Sequence, residues 1–422
     1  MQRGGMILFC VGMLLAGCAV PSTQPRKSAP VSSTAPTYQP AVTLGTPSVL
    51  TELEPAPQTP AKPAPAKKAT PKPDKIVRVL LLEEGKSAYV KHSGRVNIYT
   101  QDGSKKYKIS AAGTVSIKTH RNNQVQAGTL VAAQPIIIEP VGGTILEWDK
   151  NKYTGKFVVL PGKTFMLLEY VPLEQYLYGV LPYEMHHTWA LEALKAQAVA
   201  ARTYTLKSIE KKVEEPFDLY NDVRSQVYKG GGQVYDNVKQ AVDQTRGEVL
   251  SYKGELFFTY YHGNCGGATD HVQIWNKKAP NIKPLSGATC KFDSHSKSYN
   301  FKQDLSNAAV EKFARSQGLK GALKSVKVAK KTGTGRAVTL TIKTSNGSKT
   351  VLCSSFRAGT GLRSCKITKL STGANKVHFE GHGYGHGIGM CQDGAHGMAK
   401  QNYKYKEILK HYYPGSTLSV VK

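Results

Sequence analysis

Prolines divide this chain into two parts that differ in their capacity to fold. Thirteen of its 22 prolines lie between residues 19 and 75, in a segment that is otherwise rich in Ala, Thr and Ser. Proline fixes its own φ and has no backbone N–H to donate, so a segment this rich in proline cannot build regular helices or sheets. Such a composition predicts a disordered tether over residues 19–75. The folded part is therefore expected to begin at about residue 76.

The first 18 residues have the features of an export signal. Arg3 precedes an apolar run from residue 6 to residue 16, which is too short to span a bilayer. The run ends in LAGC, which resembles the lipobox of bacterial lipoproteins and predicts lipidation of Cys18. An ordinary signal peptide with an incidental cysteine is the alternative. A lipidated Cys18 would anchor the chain in the cell envelope, facing the periplasm or cell wall, and in the outer membrane if the cell has two membranes.

The charge balance narrows the class of partner. Lys and Arg outnumber Asp and Glu by 57 to 29, which gives a formal net charge of +28. An excess of this size predicts an anionic partner, either nucleic acid, acidic lipid or an acidic polysaccharide. The export signal argues against a nuclease or a transcription factor, so we expect no nucleic-acid partner.

From residue 76 onward, short β-branched runs are separated by turn-forming residues. They predict strands at 76–82, 87–90, 95–99, 114–117, 135–138, 156–160, 248–252, 256–261 and 337–342. An Ala-rich helix is predicted over about 189–211 with Thr188 as its N-cap, and short helices near 307–317 and 406–411. Because strands and helices do not alternate regularly, the predicted class is α+β. We expect a β-rich part over 76–170 and a core over 171–422.

Three segments beyond residue 170 carry candidate site residues. The first places a single acidic residue, Glu184, in a turn before the Ala-rich helix. The polar residues expected to gather around it are Gln197, Arg202 and Tyr204 on the helix, Gln226 and Tyr228 in the string SQVYKGG, and His386 and Gln392 in the Gly-rich string after residue 380. Hydrogen bonding within the fold is the alternative for the helix residues. The histidines at 382, 386 and 396 match no strong metal pattern, so we expect neither a metal nor a cofactor.

Five cysteines remain once the export signal and Cys18 are set aside. Short separations favour disulfides between Cys265 and Cys290 and between Cys353 and Cys365, with Cys391 free. The connectivity cannot be deduced from sequence alone, so these pairs are hypotheses.

Taken in order, these segments resemble the SpoIID family, whose domain is shared with the LytB amidase-enhancer proteins. The resemblance covers about residues 76–422. The strings that carry it are VPLEQYLYGV (171–180), EM (184–185), ALKAQAVAARTY (193–204), SQVY (225–228), NCGG (264–267), GHGIGM (385–390) and HYYPGS (411–416). It implies a lytic transglycosylase that cuts peptidoglycan glycan strands, preferring strands without stem peptides, with Glu184 as the catalytic glutamate.

The chain departs from the family at one point. Some spore-forming members bind zinc through Cys and His just before the Gln-x-Tyr string, whereas residues 218–225 contain neither type here. That zinc site is therefore not expected. A set formed by His262, Cys265, Cys290 and His295 is an alternative to the Cys265–Cys290 disulfide.

A single carboxylate suits lytic cleavage, because the C6 hydroxyl of the sugar is itself the nucleophile. A hydrolytic glycosidase usually needs two carboxylates. The second hypothesis is a non-enzymatic peptidoglycan-binding protein or amidase enhancer on the same fold, with a cell-wall amidase as a functional partner. The anchor and tether favour general envelope remodelling or division over sporulation.

Overall fold

The fold is mixed α+β, as the sequence predicts, in a computed structural model that describes residues 75–275 and 277–421. The export signal, the lipidation site Cys18 and the tether over 19–74 lie outside the described residues. None of the helices in the described part is long and apolar enough to cross a membrane.

The first part of the described chain forms strands only. They are β1 (Ile76–Gly85), β2 (Ser87–His92), β3 (Val96–Thr100), β4 (Lys106–Ile109), β5 (Gly113–Thr119), β6 (Val125–Ala127), β7 (Leu130–Ala132), β8 (Ile136–Pro140), β9 (Leu146–Trp148), β10 (Asn151–Tyr153), β11 (Lys156–Leu160) and β12 (Phe165–Pro172).

The helices are α1 (Leu173–Glu184), α2 (Leu191–Lys211), α3 (Asp236–Gln244), α4 (Asn307–Ser316), α5 (Cys353–Thr360), α6 (Gln392–Lys400) and α7 (Tyr405–Tyr412).

The remaining strands are interleaved with helices α3 to α7. They are β13 (Leu219–Tyr220), β14 (Glu248–Tyr252), β15 (Glu255–Leu256), β16 (Tyr261–His262), β17 (Asn300–Ser306), β18 (Leu323–Lys331), β19 (Ala337–Thr344), β20 (Gly347–Leu352), β21 (Lys366–Thr372), β22 (Lys376–His382), β23 (Met390–Cys391) and β24 (Thr417–Val420). Two short 3₁₀ helices lie at Val272–Ile274 and Lys283–Leu285.

Two large sheets form the β-rich part. One has the strand order β13-β1-β12-β11-β8-β3-β4 and the other β10-β9-β2-β5-β6-β7. Strand β2 alternates exposed and buried side chains, as expected for a strand with one face on the core. Along β1 the antiparallel pairing with β12 begins at Ile76 opposite Pro172, so the first described strand lies beside the start of α1.

Helix α2 is the centre of the fold because it is buried on more than one side. Ala198, Ala201 and Leu206 belong to the core that the two large sheets share, while Leu194 and Val199 belong to a second core with α6 and α7. A helix that is buried on several sides is enclosed by other elements, and the alanines of α2 allow these elements to approach closely. The helix begins at Leu191 after Ala190, two residues beyond the predicted Thr188 cap.

The structure has a helix, α1, where the sequence predicts a turn around Glu184. Glu184 is the last helical residue, and Met185 continues in an extended conformation. Gly179 allows α1 to approach its neighbour closely, since a Cβ there would lie 2.5 Å from the Gly230 carbonyl oxygen. Pro182 disrupts the helical hydrogen bonding two residues before the helix ends.

A third core is formed by β17 to β22 with α4 and α5. It contains a disulfide between Cys353 and Cys365, one of the two predicted pairs. The other predicted pair is not formed in the structure, because Cys265 and Cys290 are buried free thiols that share their surroundings with a third thiol, Cys391. The predicted strand over 256–261 is also wrong as a continuous element, since only its two ends pair.

Candidate active site

Glu184 lies where α1 ends and two other segments meet it. Its Oε1 accepts a hydrogen bond of 2.9 Å from the Val227 backbone N–H. Its Oε2 is 3.4 Å from the amide nitrogen of Gln392, the first residue of α6. The sequence strings around residues 184, 226 and 392 are therefore brought together, as the sequence predicts.

The surroundings of Glu184 favour its protonated form. Burial raises the pKa of Glu184 to about 7, while the hydrogen bonds from Val227 and Gln392 lower it by less. The C-terminal end of a helix also disfavours a negative charge. Among the described residues, neither a cation nor a second carboxylate contributes to this shift. Near neutral pH, both the protonated and the deprotonated form of Glu184 are therefore populated.

Gln392 connects Glu184 to the central helix. Its amide nitrogen lies 3.5 Å from Oε1 of Gln197, so it is shared between the two acceptors. Gln197 is fully buried, and its own amide nitrogen has no partner in the described part of the chain. A buried amide without a partner costs about 1–3 kcal/mol, which makes an unpaired donor beside the Glu184 contact a feature in need of a ligand or water.

Gln226 positions the segment that holds Glu184. Its Oε1 accepts from Tyr176 at 3.1 Å and from Thr205 at 2.8 Å. Its amide donates to Tyr261 at 2.8 Å and to the Ala201 carbonyl at 3.4 Å. All four hydrogen-bonding positions of Gln226 are used and its side chain is buried. The predicted ligand contact of Gln226 is therefore wrong, and the side chain instead fixes the neighbouring Val227 N–H.

Three tyrosine hydroxyls lie close enough to Glu184 for its charge to affect them. They belong to Tyr176, Tyr204 and Tyr261, and the pKa of each is raised first by burial and further by Glu184. The pKa of Tyr204 rises to about 12, so its hydroxyl keeps its proton and remains a donor. Tyr204 is partly exposed, and its contact with a ligand stays a prediction.

Comparison with known proteins shows the family to which this segment belongs. A family model described as "SpoIID: Stage II sporulation protein" matches residues 162–252, which include Glu184 and Gln226. The chain is 30% identical over 271 residues to stage II sporulation protein D of Bacillus subtilis, covering 60% of this chain and 76% of that protein. This chain belongs to the SpoIID family.

Two further relatives extend the comparison. An uncharacterised protein of Brachyspira hyodysenteriae is 36% identical over 297 residues, which is 68% of this chain and 76% of the relative. The amidase enhancer of Bacillus subtilis is 34% identical over 287 residues, which is 57% of this chain but only 40% of the enhancer.

Two residues in the SpoIID segment have structural roles that differ from the prediction. Arg202 is fully buried and forms a two-pronged ion pair with Glu174, at 2.8 and 2.7 Å. Tyr228 is also fully buried, and its hydroxyl donates to Glu169 at 2.7 Å. Neither side chain reaches a surface from which it could contact a substrate.

His386 was predicted to make a polar contact with a ligand, but its ring belongs to a row of aromatic side chains. Its Nδ1 accepts from the Ile388 N–H at 3.1 Å, and its ring stacks on Trp275 with centroids 4.9 Å apart. The row continues to Tyr260, whose ring centroid is 5.3 Å from that of Trp275 and 6.2 Å from that of Tyr204. Burial and nearby Arg357 lower the pKa of His386 to about 3, so its ring is neutral. The row was missed because its members are scattered along the sequence.

The zinc site of some SpoIID members does not fit this chain. Asp218, at the start of the segment before Gln226, is buried in an ion pair with Arg78 at 2.7 Å, and no thiol or imidazole follows it before Gln226. The alternative set of four is not assembled either. His262 lies against the Ile388 carbonyl at 3.1 Å and His295 is exposed.

Proposed function

We propose that this SpoIID-family chain is a lytic transglycosylase of the cell envelope that cuts peptidoglycan glycan strands. One observation carries the proposal: Glu184 is a lone, partly buried carboxyl whose pKa of about 7 allows both protonation states at neutral pH. A general acid that must later act as a base works best when its pKa is near the working pH.

The reaction needs only this one carboxyl. Protonated Glu184 donates its proton to the glycosidic oxygen as the C1–O bond breaks, and the resulting carboxylate faces the positive charge that develops on the sugar. The C6 hydroxyl of the same sugar then bonds to C1, and Glu184 takes the hydroxyl proton. The product is a 1,6-anhydro-muramic acid end, no water is consumed, and Glu184 is again protonated. The nucleophile is already part of the bound sugar, which replaces the second carboxylate of a hydrolase.

The surroundings of Glu184 suit a sugar chain. The row formed by Tyr204, Tyr260, Trp275 and His386 presents partly exposed rings with polar edges, a surface on which sugar rings can stack. His187, three residues after Glu184, stacks on Tyr235, the N-cap residue of α3, with ring centroids 4.0 Å apart. The amide of Gln392, which contacts Glu184, offers a donor for hydroxyl or acetamido oxygens, whereas the fully buried Gln197 does not reach a substrate.

The net charge favours strands stripped of stem peptides. Removal of the peptide exposes a lactyl carboxylate on each muramic acid, so the stripped strand is a polyanion. A chain with a formal charge of +28 attracts such a strand, and the attraction weakens as salt is added. An amidase that removes the peptides would then act before this enzyme.

The proposal includes the anchor predicted for Cys18. Lipidation there would hold the enzyme to a membrane, and the Pro-rich segment would carry the catalytic part, residues 76–422, to the glycan. Fully extended at about 3 Å per residue, a tether of this length reaches well over 100 Å.

The decisive experiment compares wild type with Glu184→Gln on purified glycan strands lacking peptides. Mass spectrometry should detect anhydro-muramic ends from wild type, and the variant should form them at least about 10³-fold more slowly, because Gln cannot transfer the proton. Glu210→Gln, an exposed residue of α2, is the matched control and should retain full activity. Equal yields from wild type and Glu184→Gln would reject the mechanism.

A second function is supported by the similarity to the amidase enhancer of Bacillus subtilis. In that case the chain would bind peptidoglycan and stimulate an amidase without cutting glycan. Release of stem peptides by a purified amidase would then rise on addition of the chain, and Glu184→Gln would stimulate as well as wild type.

A further inference from the structure

Three thiols and one carboxylate meet in the interior of the described part of the chain. They belong to Cys265, Cys290, Cys391 and Asp293, all of which are buried. Their ligand atoms all lie within 4.8 Å of one another, and in the described part of the chain this is the one group of its kind. Four zinc ligands at the corners of a tetrahedron with bonds of about 2.3 Å are separated by about 3.8 Å, so this spacing suits a single ion.

Two of the thiols lie close to the carboxylate of the group. Sγ of Cys265 is 3.0 Å from Oδ2 of Asp293, and Sγ of Cys391 is 3.8 Å from the same oxygen. The other oxygen of Asp293, Oδ1, is buried and has no partner among the described residues. A buried carboxylate oxygen without a donor calls for a cation, because leaving it unpaired is costly.

Backbone N–H groups point at one of the sulfurs. Sγ of Cys391 accepts from the Cys265 N–H at 3.2 Å and from the Gly394 N–H at 3.3 Å. The second donor lies in the first turn of α6, where the helix end also favours negative charge. These two contacts hold Sγ of Cys391 in place beside the other three ligand atoms.

The ligand spacing is also that of a metal site. Cys290 and Asp293 are separated by two residues, as in the C-x₂-C pairs of structural zinc sites with the second thiolate replaced by a carboxylate. Cys265 and Cys391 come from distant segments that the parallel pairing of β16 with β23 brings together. Lys366 lies close enough for electrostatic interaction with Cys265 and Asp293, which offsets the excess negative charge of such a ligand set.

We propose that Cys265, Cys290, Cys391 and Asp293 bind one Zn²⁺ ion that stabilises the fold. The ligand set contains three soft sulfurs and one oxygen, which suits zinc and excludes magnesium or calcium. On binding, the three thiols lose their protons to solvent. The four protein ligands then fill all four coordination positions of the ion, so none is left for catalysis. The site replaces both the disulfide predicted between Cys265 and Cys290 and the expectation that the chain holds no metal.

The metal site also has a consequence for Glu184. Cys391 is the N-cap of α6, and the next residue, Gln392, is the one that reaches Glu184. Zinc at Cys391 would fix the start of α6 and thereby hold Gln392 in place. This part of the inference does not depend on the proposed reaction, because it concerns only where Gln392 lies.

The test measures metal directly on the full chain, purified in detergent from membranes without added zinc. Elemental analysis should find about one zinc per chain in wild type and at least tenfold less in Cys290→Ser. The matched control is the Cys353→Ser/Cys365→Ser double variant, which loses the disulfide but should keep its zinc.

Two outcomes would overturn the site. One is wild-type protein with less than a tenth of a zinc per chain; the other is peptide mapping that finds Cys265 and Cys290 joined by a disulfide. X-ray absorption at the zinc edge of wild type provides a test that does not need a folded variant. It should detect three sulfurs and one oxygen around the ion, and a shell containing imidazole nitrogen would reject this ligand set. None of these readouts involves glycan cleavage, so they can fail independently of the proposed function.

Discussion

Helix α1 carries one carboxylate near each end, and the two have opposite surroundings. Glu174 lies in the first turn and forms a two-pronged ion pair with the fully buried Arg202. Glu184 is the last residue and has one good hydrogen bond, from a backbone N–H, with a longer contact to a neutral amide. The same helix thus holds one carboxylate with a cation and one without.

The difference separates a carboxylate held in an ion pair from the one that the proposed function uses for proton transfer. A cation within hydrogen-bonding distance keeps a buried carboxylate charged and ties it to its neighbours, so Glu174 joins α1 to α2. Without a cation, burial acts alone and moves the pKa of Glu184 to about 7. In the proposed function, the absence of a cationic partner, which would be a cost elsewhere, allows proton transfer at this end.

The largest effect is expected from breaking the ion pair. Arg202→Met leaves the buried Glu174 without its cation, and should lower the free energy of unfolding by about 3–5 kcal/mol. Urea denaturation followed by tryptophan fluorescence measures this. The Glu174→Leu/Arg202→Met double variant is the control and should recover most of the loss. A loss below about 1 kcal/mol in Arg202→Met would show that the pair does not stabilise the fold.

Giving Glu184 the cation that it lacks should make it resemble Glu174. Gln392→Lys places an ammonium group near Oε2 and should lower the pKa of Glu184 by about 1–3 units. The acidic form then becomes scarce at pH 7, so glycan cleavage at that pH should fall by about 10-fold to 10³-fold and its optimum should move to lower pH. The pH dependence of kcat/KM checks this. Gln392→Met, which is neutral and similar in length, should leave the optimum within one unit of wild type.

The smallest effect concerns the stability cost of the unpaired carboxylate. A pKa of about 7 in the folded state, above the usual 4.5, means that the folded protein holds this proton more tightly than the unfolded chain does. The Glu184 contribution to stability therefore falls as pH rises from about 4.5 to about 7 and is constant above that. Glu184→Gln removes this loss.

Glu184→Gln should accordingly be more stable than wild type by about 1–3 kcal/mol at pH 8, and nearly equal to it at pH 4. Urea denaturation at the two pH values provides the measurement. The exposed Glu210→Gln should show no such pH-dependent difference. A Glu184→Gln variant less stable than wild type at pH 8 would mean that the carboxylate is paired after all.

Local patterns predicted much of what is local in this fold. The Ala-rich helix, the strand over Lys156–Leu160 and the strand over Glu248–Tyr252 follow from composition and periodicity within short windows. The importance of Glu184 followed from its resemblance to a family motif. Helix α1 did not follow, because its glycine, its proline and its aromatic residues favour other conformations and its helix is stabilised by packing.

The sequence could not identify side-chain partners that lie far apart along the chain. The sequence places Arg202 among the polar residues of the predicted helix and so suggests a ligand contact, because nothing local identifies Glu174 as its partner. Cys391 was assigned no partner because Cys265 and Asp293 are distant in sequence. Tyr228 was likewise expected near a ligand, but its partner Glu169 lies on β12 and draws it into the core.

The backbone N–H of Val227 has a consequence for how this site can change over generations. Every residue except proline supplies the same N–H, so the bond that orients Glu184 survives almost any mutation at position 227. Gln392, in contrast, contributes through its side chain and can be lost or replaced in a single step. Lineages that carry this site can therefore tune the acidity of Glu184 while inheriting its orientation unchanged.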